Sequence, residues 1–425
     1  MLLHRFIKNR KGAVAPLLAL SMIPIMGAVA ASVDYSRASA IRSAMQSSLD
    51  ATGLMLSKTA PDLSPTALND QAVVHFTALF NRPEATNVAV TAAMTQPAEG
   101  SFNIALTGAA TVNTLFAGVI GHSHIDLSVS SSILWGIKRL NLALALDNTG
   151  SMATDGKMAA LKTAAHNLLA TLQAAAKKPG DIQVSIIPFA VDVNMGTSNA
   201  AATWLDWTDW TQETGTCSRT RYDTRTECQS NGAVWTPTAQ SAWNGCVKDR
   251  DQHNDVLNTT PVSGNPATKY RAHQAVACPT AMMPLSSDWT ALNSKIDAMT
   301  PTGNTNVTIG PQMAWQTLSP GAPFNAAAPT TDLDRVIILL TDGENTQNRW
   351  TASATSINAR TAAACANVKA ANIRLYTVRV IAGNATLLRD CATNPSMYYD
   401  VQQADQLSNV FRTIAQNLAN LRIAQ

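Results

Sequence analysis

Hydrophobic and polar positions change rhythm several times along this chain. From Gly12 to Val33 no ionisable side chain occurs. That is about the length that crosses a bilayer as a helix. Ser36 to Leu56 then places Ala38, Ile41, Met45, Leu49 and Leu56 at mostly helical intervals, with no Pro and no early Gly to interrupt it. The pattern predicts one long helix, half in a membrane and half amphipathic outside it. Pro16 and Pro24 fall inside the span, where membrane helices accept them with a kink. A polar, Pro-bearing break covers Thr59 to Ser64, and a short helix is predicted over Pro65 to Phe80. From Asn87 to Trp135 the period shortens to two. Val88, Val90 and Ala92 alternate, as do Phe102, Ile104 and Leu106, and Ile125, Leu127 and Val129. Such alternation predicts a small antiparallel β unit.

Beyond it the pattern changes again. Leu140 to Leu146 is an apolar run of strand length, and Lys157 to Ala176 reads as an Ala/Leu-rich helix. Asp181 to Ala190, Val336 to Leu340 and Ile373 to Val380 are further strands. The last helix, Ala404 to Leu421, carries Leu407, Val410, Phe411, Ile414 and Leu418 on one face. Strands alternating with helices predict an α/β fold, a mostly parallel sheet with helices on both faces. Between Val191 and Leu285 the rhythm disappears over a length too great for an ordinary loop. That stretch is predicted to be an insertion folded on itself. The chain therefore divides into an anchor and helix over residues 1–58, a β-rich spacer over 59–137, and an α/β domain over 138–425.

Composition sharpens this picture in two places. A net charge of +3 and the absence of a basic stripe with interleaved aromatics exclude a nucleic-acid binder. Arg5, Lys8, Arg10 and Lys11 precede the apolar run and Asp34 follows it, so the positive-inside tendency keeps the N-terminus cytoplasmic and exports the rest. Ala28-Val29-Ala30 has the form of a signal-peptide cleavage site, but the apolar run is long for a signal peptide and helical spacing continues past it. An even count of six cysteines in an exported chain argues for disulfides. Locality pairs Cys217 with Cys228, Cys246 with Cys278, and Cys365 with Cys391, out of 15 arrangements that six cysteines allow. Zinc is disfavoured: Cys-x-x-Cys is absent, and neither His253 nor His273 has a partner at ligand spacing. His122 and His124 sit in a predicted turn, where a pair is more often solvated than ligating. Trp204, Trp207, Trp210, Trp235 and Trp243 have two readings, a recognition surface or the core of a small insertion.

Candidate chemistry gathers where strands end. The run from Leu140 stops at Asp147, followed by Asn148, Thr149, Gly150 and Ser151. Asp147, Thr149 and Ser151 are spaced so that their oxygens can turn inward at the C-terminal edge of a sheet, where open α/β folds place ligands. Asp334 to Leu340 is a second buried strand, running into Thr341, Asp342 and Gly343. Between them lies Thr302-Gly303-Asn304-Thr305-Asn306, ahead of the helix-like Val307 to Leu318. Oxygen-only donors suit a hard divalent cation. The bland alternative is a turn followed by a helix N-cap.

These three segments resemble the metal-ion-dependent adhesion site of von Willebrand factor type A domains, whose pattern is Asp-x-Ser-x-Ser, a Thr in a Gly-rich loop, and an Asp in Thr-Asp-Gly. The resemblance covers Leu140 to about Gln416. It implies a doubly wound, Rossmann-like sheet and a site built of Asp147, Thr149, Ser151, Thr305 and Asp342. The hydroxyls would ligate Mg²⁺ directly, with Mn²⁺ or Ca²⁺ as alternatives, and the carboxylates would often act through water. Thr149 replaces the usual Ser, and Asn304 stands where a second Gly is common. The N-terminus is similar to TadE/TadG-like proteins of Flp (tight-adherence) pilus assembly. The similarity rests on Arg10-Lys11-Gly12-Ala13-Val14-Ala15, the apolar run, Asp34-Tyr35, and a helix with Arg37, Arg42 and Gln46. Such starts are sometimes processed by a prepilin peptidase, but the usual acidic residue after the cleavage site is missing between Gly12 and Val33.

The resulting expectation is a binding and assembly protein rather than an enzyme. It would be anchored in the inner membrane of a bacterial envelope, with a pilus or secretion-system protein supplying a carboxylate to the metal. A structural scaffold whose metal only stabilises the fold is the alternative. A metal-dependent phosphohydrolase would use Asp147 as nucleophile, but that chemistry usually wants a second Asp where Thr149 stands. Glu344 is the nearest nominee for a base.

Overall fold

The computed structural model describes residues 14–98, 101–136 and 138–421. Arg5, Lys8, Arg10, Lys11, Gly12 and Ala13 of the N-terminal motif lie outside the described residues. The chain divides between residues 137 and 138 into two compact units.

The N-terminal unit is built on α1 (Val14–Leu56), unbroken over 43 residues. Its first half presents Leu18, Leu20, Ile23, Ile25 and Val29 outward, and among the described residues it is the one helix long and apolar enough to cross a membrane. From Asp34 onward one face turns inward. Ala38, Ile41, Met45, Leu49 and Leu56 are buried at the helical spacing. The predicted break holds a single 3₁₀ turn, Ala60–Asp62. Helix α2 (Pro65–Leu79) starts because Ser64 accepts from Ala67 N at 3.2 Å and Pro65 occupies the first turn. β1 (Ala85–Ala98), β2 (Ser101–Asn113) and β3 (His124–Gly136) form an antiparallel meander in that order. One face of it, with Ile104, Leu106, Val112 and Val129, shares a core with α1 and with Leu68, Ala72 and Phe76 of α2. His122 and His124 are both exposed.

The second unit starts with β4 (Arg139–Asp147), α3 (Lys157–Ala175) and β5 (Ile182–Phe189). The insertion follows, with β6 (Val193–Asn194), β7 (Leu205–Asp206), α4 (Thr208–Glu213), β8 (Gly215–Cys217), α5 (Arg225–Ser230), β9 (Trp235–Pro237), β10 (Cys246–Lys248) and β11 (Tyr270–Ala272). The chain then returns through β12 (Met283–Ser286), α6 (Trp289–Asp297), α7 (Ile309–Thr317), β13 (Leu333–Thr341), α8 (Ala354–Ala370), β14 (Arg374–Val380), α9 (Ala385–Cys391), β15 (Tyr398–Val401) and α10 (Leu407–Leu421). Ten strands form one mixed sheet in the order β15-β14-β13-β4-β5-β6-β10-β11-β7, with β12 also on β5. The first five run parallel. β4 lies between β13 and β5, parallel to both, which is why Leu140 to Leu146 is apolar without alternation. Leu140, Leu142, Leu144 and Leu146 pack with residues of α3, α6 and α10, while Ala143 and Ala145 face those of α7 and α8.

The insertion is less self-contained than its sequence predicts. β6, β10, β11 and β7 continue the main sheet, β6 and β10 joining antiparallel; β6 pairs with β5 at Phe189–Val193, and β12 covers the β5 edge at Val184 and Ile186. Trp210 and Trp243 are buried in the sheet's own core, with Trp204 and Trp207 packed against it. Trp235 lies under the separate β8–β9 hairpin with Cys217 and Cys228. The tryptophans are core residues, not a recognition surface. All three disulfides join the local pairs: Cys217–Cys228, Cys246–Cys278 and Cys365–Cys391.

Gly53 lets α1 approach its sheet closely. A Cβ there would lie 2.6 Å from Ile133 Cγ1 and 2.9 Å from Leu106 Cδ1. Gly53→Leu is expected to destabilise the N-terminal unit by about 1–3 kcal/mol through overpacking, lowering its unfolding midpoint by several degrees. Gly27→Ala, with nothing within 4 Å, should leave that midpoint unchanged. Thermal unfolding followed by circular dichroism compares the two.

Candidate functional site

At the C-terminal edge of the sheet, adjacent parallel strands deliver two carboxylates side by side. β4 ends at Asp147 and β13 at Thr341, directly before Asp342, and both acids are fully buried. Asp147 Oδ1 accepts from Thr149 N at 2.9 Å and from Thr149 Oγ1 at 2.6 Å. Its Oδ2 accepts from Thr341 Oγ1 at 2.6 Å across the strand pair. Thr149 Oγ1 is 3.0 Å from Ser151 Oγ, which donates to Asp342 Oδ1 at 2.6 Å. A continuous chain of oxygens thus runs from β4 to β13.

The third loop reaches the same place. Gly150 N donates to Gly303 O at 3.0 Å and Thr302 N to Asn148 O at 2.7 Å, joining the two loops backbone to backbone. Gly303 takes the left-handed conformation (φ 79°), and Asn304 does not. Asn304 instead donates to Gln347 Oε1 at 2.8 Å. A Cβ at Gly343 would sit 3.3 Å from Thr305 Oγ1 and 3.6 Å from Ser151 Oγ. Only a glycine leaves that space open, and two hydroxyl oxygens border it. Asp147, Thr149, Ser151 and Asp342 are joined by hydrogen bonds, and Thr305 Oγ1 lies across the Gly343 space from Ser151 Oγ. Glu344 is exposed.

Such a cluster would be costly without compensation. Burial, and then the neighbouring charge of Asp342, push the Asp147 carboxyl up to about 6, against the pull of its hydrogen bonds from Thr149 and Thr341. Lys157, at the start of α3, supplies one positive charge: its ammonium, itself buried, donates to Asp342 Oδ2 at 2.7 Å and to Ser151 O at 3.1 Å. Sequence reasoning passed over Lys157. The signal was its position as the first cation after the Asp147 motif. Two carboxylates against one ammonium, with three hydroxyls, leave a donor set that fits a hard dication. Among the described residues no group of three or more His, Cys, Asp and Glu could hold a metal, so a metal would depend on the hydroxyls.

The insertion holds two of these loops from behind. Buried Asp249, just after β10, accepts from Asn306 Nδ2 at 3.0 and 2.9 Å, and from Arg349 N at 3.3 Å. Asn306 follows Thr305, and Arg349 lies in the loop that leaves Asp342. Arg349 also donates to Asp251 Oδ1 at 2.6 Å and lies 3.4 Å from Asp209. Burial pushes Asp249 up to about 7, with Asp255 and Asp192 adding to it.

Asp147 and Asp249 both hold their protons to a higher pH when folded than at their ordinary value of 3.8. Between about pH 4 and 7 the folded chain binds more protons than the unfolded one. In EDTA, the stabilisation from these groups is therefore complete below pH 4 and is lost as pH rises through 6 and 7. Urea unfolding at pH 5 and pH 8 should show the second unit weaker at pH 8. Asp249→Asn should reduce that difference and leave only the smaller contribution of Asp147.

Comparison with known structures finds distant likenesses. The pilus adhesin SpaC of Lactobacillus rhamnosus GG matches at a TM-score of 0.39 and 12% identity, over 80% of this chain and 35% of that one. The von Willebrand factor domain of the type V pili tip protein Mfa5 from Porphyromonas gingivalis matches at 0.40 and 10%, over 68% and 98%. Proximal thread matrix protein 1 of the mussel byssus, with a zinc-occupied MIDAS motif, matches at 0.35 and 14%, over 67% and 46%. This chain thus spans about a third of SpaC and under half of the byssus protein. All three stand below a TM-score of 0.5, so the function proposed below is argued from the chain's own residues. No curated protein matches the chain. Residues 12–55 match the family model for Flp pilus-assembly TadE/G-like proteins, and it is to that family that the N-terminal segment of this chain is similar.

Proposed function

We propose that this chain is a membrane-anchored pilus-assembly or adhesion protein of the bacterial envelope. It binds a protein partner through a metal-ion-dependent adhesion site of von Willebrand factor A type, on a doubly wound sheet. The observation that carries this reading is the convergence of Asp147, Thr149, Ser151, Thr305 and Asp342 on one oxygen-lined place at the ends of β4 and β13. Those residues would hold Mg²⁺, or Mn²⁺ or Ca²⁺. The metal's contribution is a strong, directional attraction for a carboxylate.

What the chain's own groups do follows from their placement. Asp147 orients the Thr149 hydroxyl, and Asp342 that of Ser151. Lys157 balances Asp342 from the protein side. Gly150, Ser151, Gly303 and Asn304 are exposed, so the site has an open side on which a partner can land. Nothing in this arrangement activates water, since the nominated base, Glu344, points to solvent. That supports a binder over a phosphohydrolase. The apolar half of α1 and the TadE/G-like match of residues 12–55 support anchorage in an inner membrane, with the N-terminus cytoplasmic and the rest exported. The partner is expected to be a pilus or secretion-system component that offers an acidic side chain.

A scaffold whose metal only stabilises the fold is the second reading, favoured by the full burial of both carboxylates. Thermal unfolding of the detergent-purified chain, in EDTA and with Mg²⁺ or Mn²⁺ restored, tests for the ion. A cation at a hundred times its Kd should add about 2.7 kcal/mol, raising the second unit's midpoint by several degrees. Thr305→Ala should abolish that rise while leaving the EDTA midpoint within a few degrees of the parent. No response of the parent to any divalent cation would overturn the metal site. Metal-dependent capture of purified pilins by the parent but not by Thr305→Ala supports the adhesion reading. Stabilisation without capture supports the scaffold.

A further inference from the structure

Asp34 is the first ionisable residue after the apolar run, and it does something unusual for a residue at that level. Its carboxylate is nearly fully buried and reaches across to the β2–β3 connection. Oδ1 accepts from Leu115 N at 2.8 Å, and Oδ2 accepts from Phe116 N at 3.0 Å and Ala117 N at 2.8 Å. Asp34 thereby ties the tip of the sheet to the helix where α1 leaves its apolar half. Arg37, one turn on, donates to Asn113 O at 3.4 Å and strengthens the same tie.

The end of the tip held there exposes apolar side chains, while His122, Ser123 and His124 are exposed at its far end. Leu115 is 61% exposed and Phe116 49%, and on α1 Tyr35, directly after Asp34, is 74% exposed. The N–H groups from Thr114 to Ala117 are satisfied. Asp34 takes three of them, Thr114 Oγ1 donates to His122 O at 2.6 Å, and Thr114 N donates to Ser123 O at 3.1 Å. A segment whose donors are satisfied internally can approach hydrocarbon without the several-kcal/mol cost of each unpaired group. Tyrosine and other aromatic side chains favour the headgroup level. Amphipathic surfaces with Phe and Leu on one side settle into the headgroup–acyl boundary.

We propose that the β2–β3 tip of the N-terminal unit is seated in the lipid interface. Leu115 and Phe116 dip toward the acyl chains, and Asp34 locks the tip at that depth. The sheet then rests on the membrane at a second point besides the spanning helix. This rests on the anchor reading of α1, because the depth of the tip is set by where the apolar run ends. The occupant is lipid rather than a second protein because the exposed apolar side chains continue the exposed apolar surface of the spanning half, from Leu18 to Val33.

All six native cysteines are in disulfides, so a single added thiol can be labelled selectively. The full chain is reconstituted into phosphatidylcholine–phosphatidylglycerol vesicles carrying spin-labelled lipid. An environment-sensitive fluorophore is placed at Leu115→Cys. Val29→Cys serves as the reference inside the span, and Met55→Cys as the reference about 40 Å farther along the helix. Quenching at Leu115 at least half that at Val29, and several-fold above Met55, is expected. Asp34→Ala should lower the Leu115 quenching toward the Met55 level, and unchanged quenching in that variant would overturn the locking role. Strong quenching at Val29 with Leu115 equal to Met55 would overturn the proposal and leave the anchor standing. No quenching at Val29 would overturn the anchor reading, and the seated tip with it. A blue-shifted Leu115 probe that lipid does not quench would place a protein surface there and overturn the lipid assignment.

Discussion

Two buried carboxylates at the ends of neighbouring parallel strands set the terms for the second unit. Asp147 and Asp342 are both at zero exposure, and each raises the cost of the other's charge. A low-dielectric interior does not hold such a pair unless something opposes it. In this chain the opposition is distributed. The hydroxyls of Thr149 and Thr341 serve Asp147, that of Ser151 serves Asp342, and the Lys157 ammonium supplies the one full positive charge. The identity of the loops follows from that requirement. Short hydroxyl side chains can reach a carboxylate two residues away, and the glycines at 303 and 343 let neighbouring loops come close enough to complete the ring.

The insertion then becomes intelligible as part of the same solution. Asp249 takes hold of Asn306, Arg349 takes hold of Asp251, and those two contacts fix the loops that carry Thr305 and follow Asp342. A segment that looks in sequence like an appendage is woven into the sheet through β6, β10, β11 and β7. Its tryptophans are consumed in packing. Its outer hairpin, closed by Cys217–Cys228, has a small core of its own.

Much of this could be read from the residues, and the exceptions have physical causes. Long apolar strands such as Leu140–Leu146 and the helical spacing of Ala38, Ile41, Met45 and Leu49 announce themselves, because burial on a sheet centre or one helix face imposes a strict period. The oxygen-bearing positions were readable for a related reason: Asp147 and Asp342 stand where apolar strands stop, and Thr149, Ser151 and Thr305 lie in loops beside them. The strands of the insertion were not, since two- and three-residue strands such as β6 and β11 are too short to show any period. Lys157 escaped notice because a lysine at the start of a helix is ordinary on a surface, and its burial comes from a contact 185 residues away. Asn304 stands where a second Gly is common, but Gly303 alone takes the left-handed conformation, and Asn304 spends its side chain on Gln347.

The unbroken course of α1 has a mechanical meaning. A 43-residue helix is a rod of about 65 Å, and the meander is hydrogen-bonded to its outer half at Asp34, Arg37 and Gln46. With its apolar half anchored as proposed, α1 would carry the meander on a stiff post rather than on a tether.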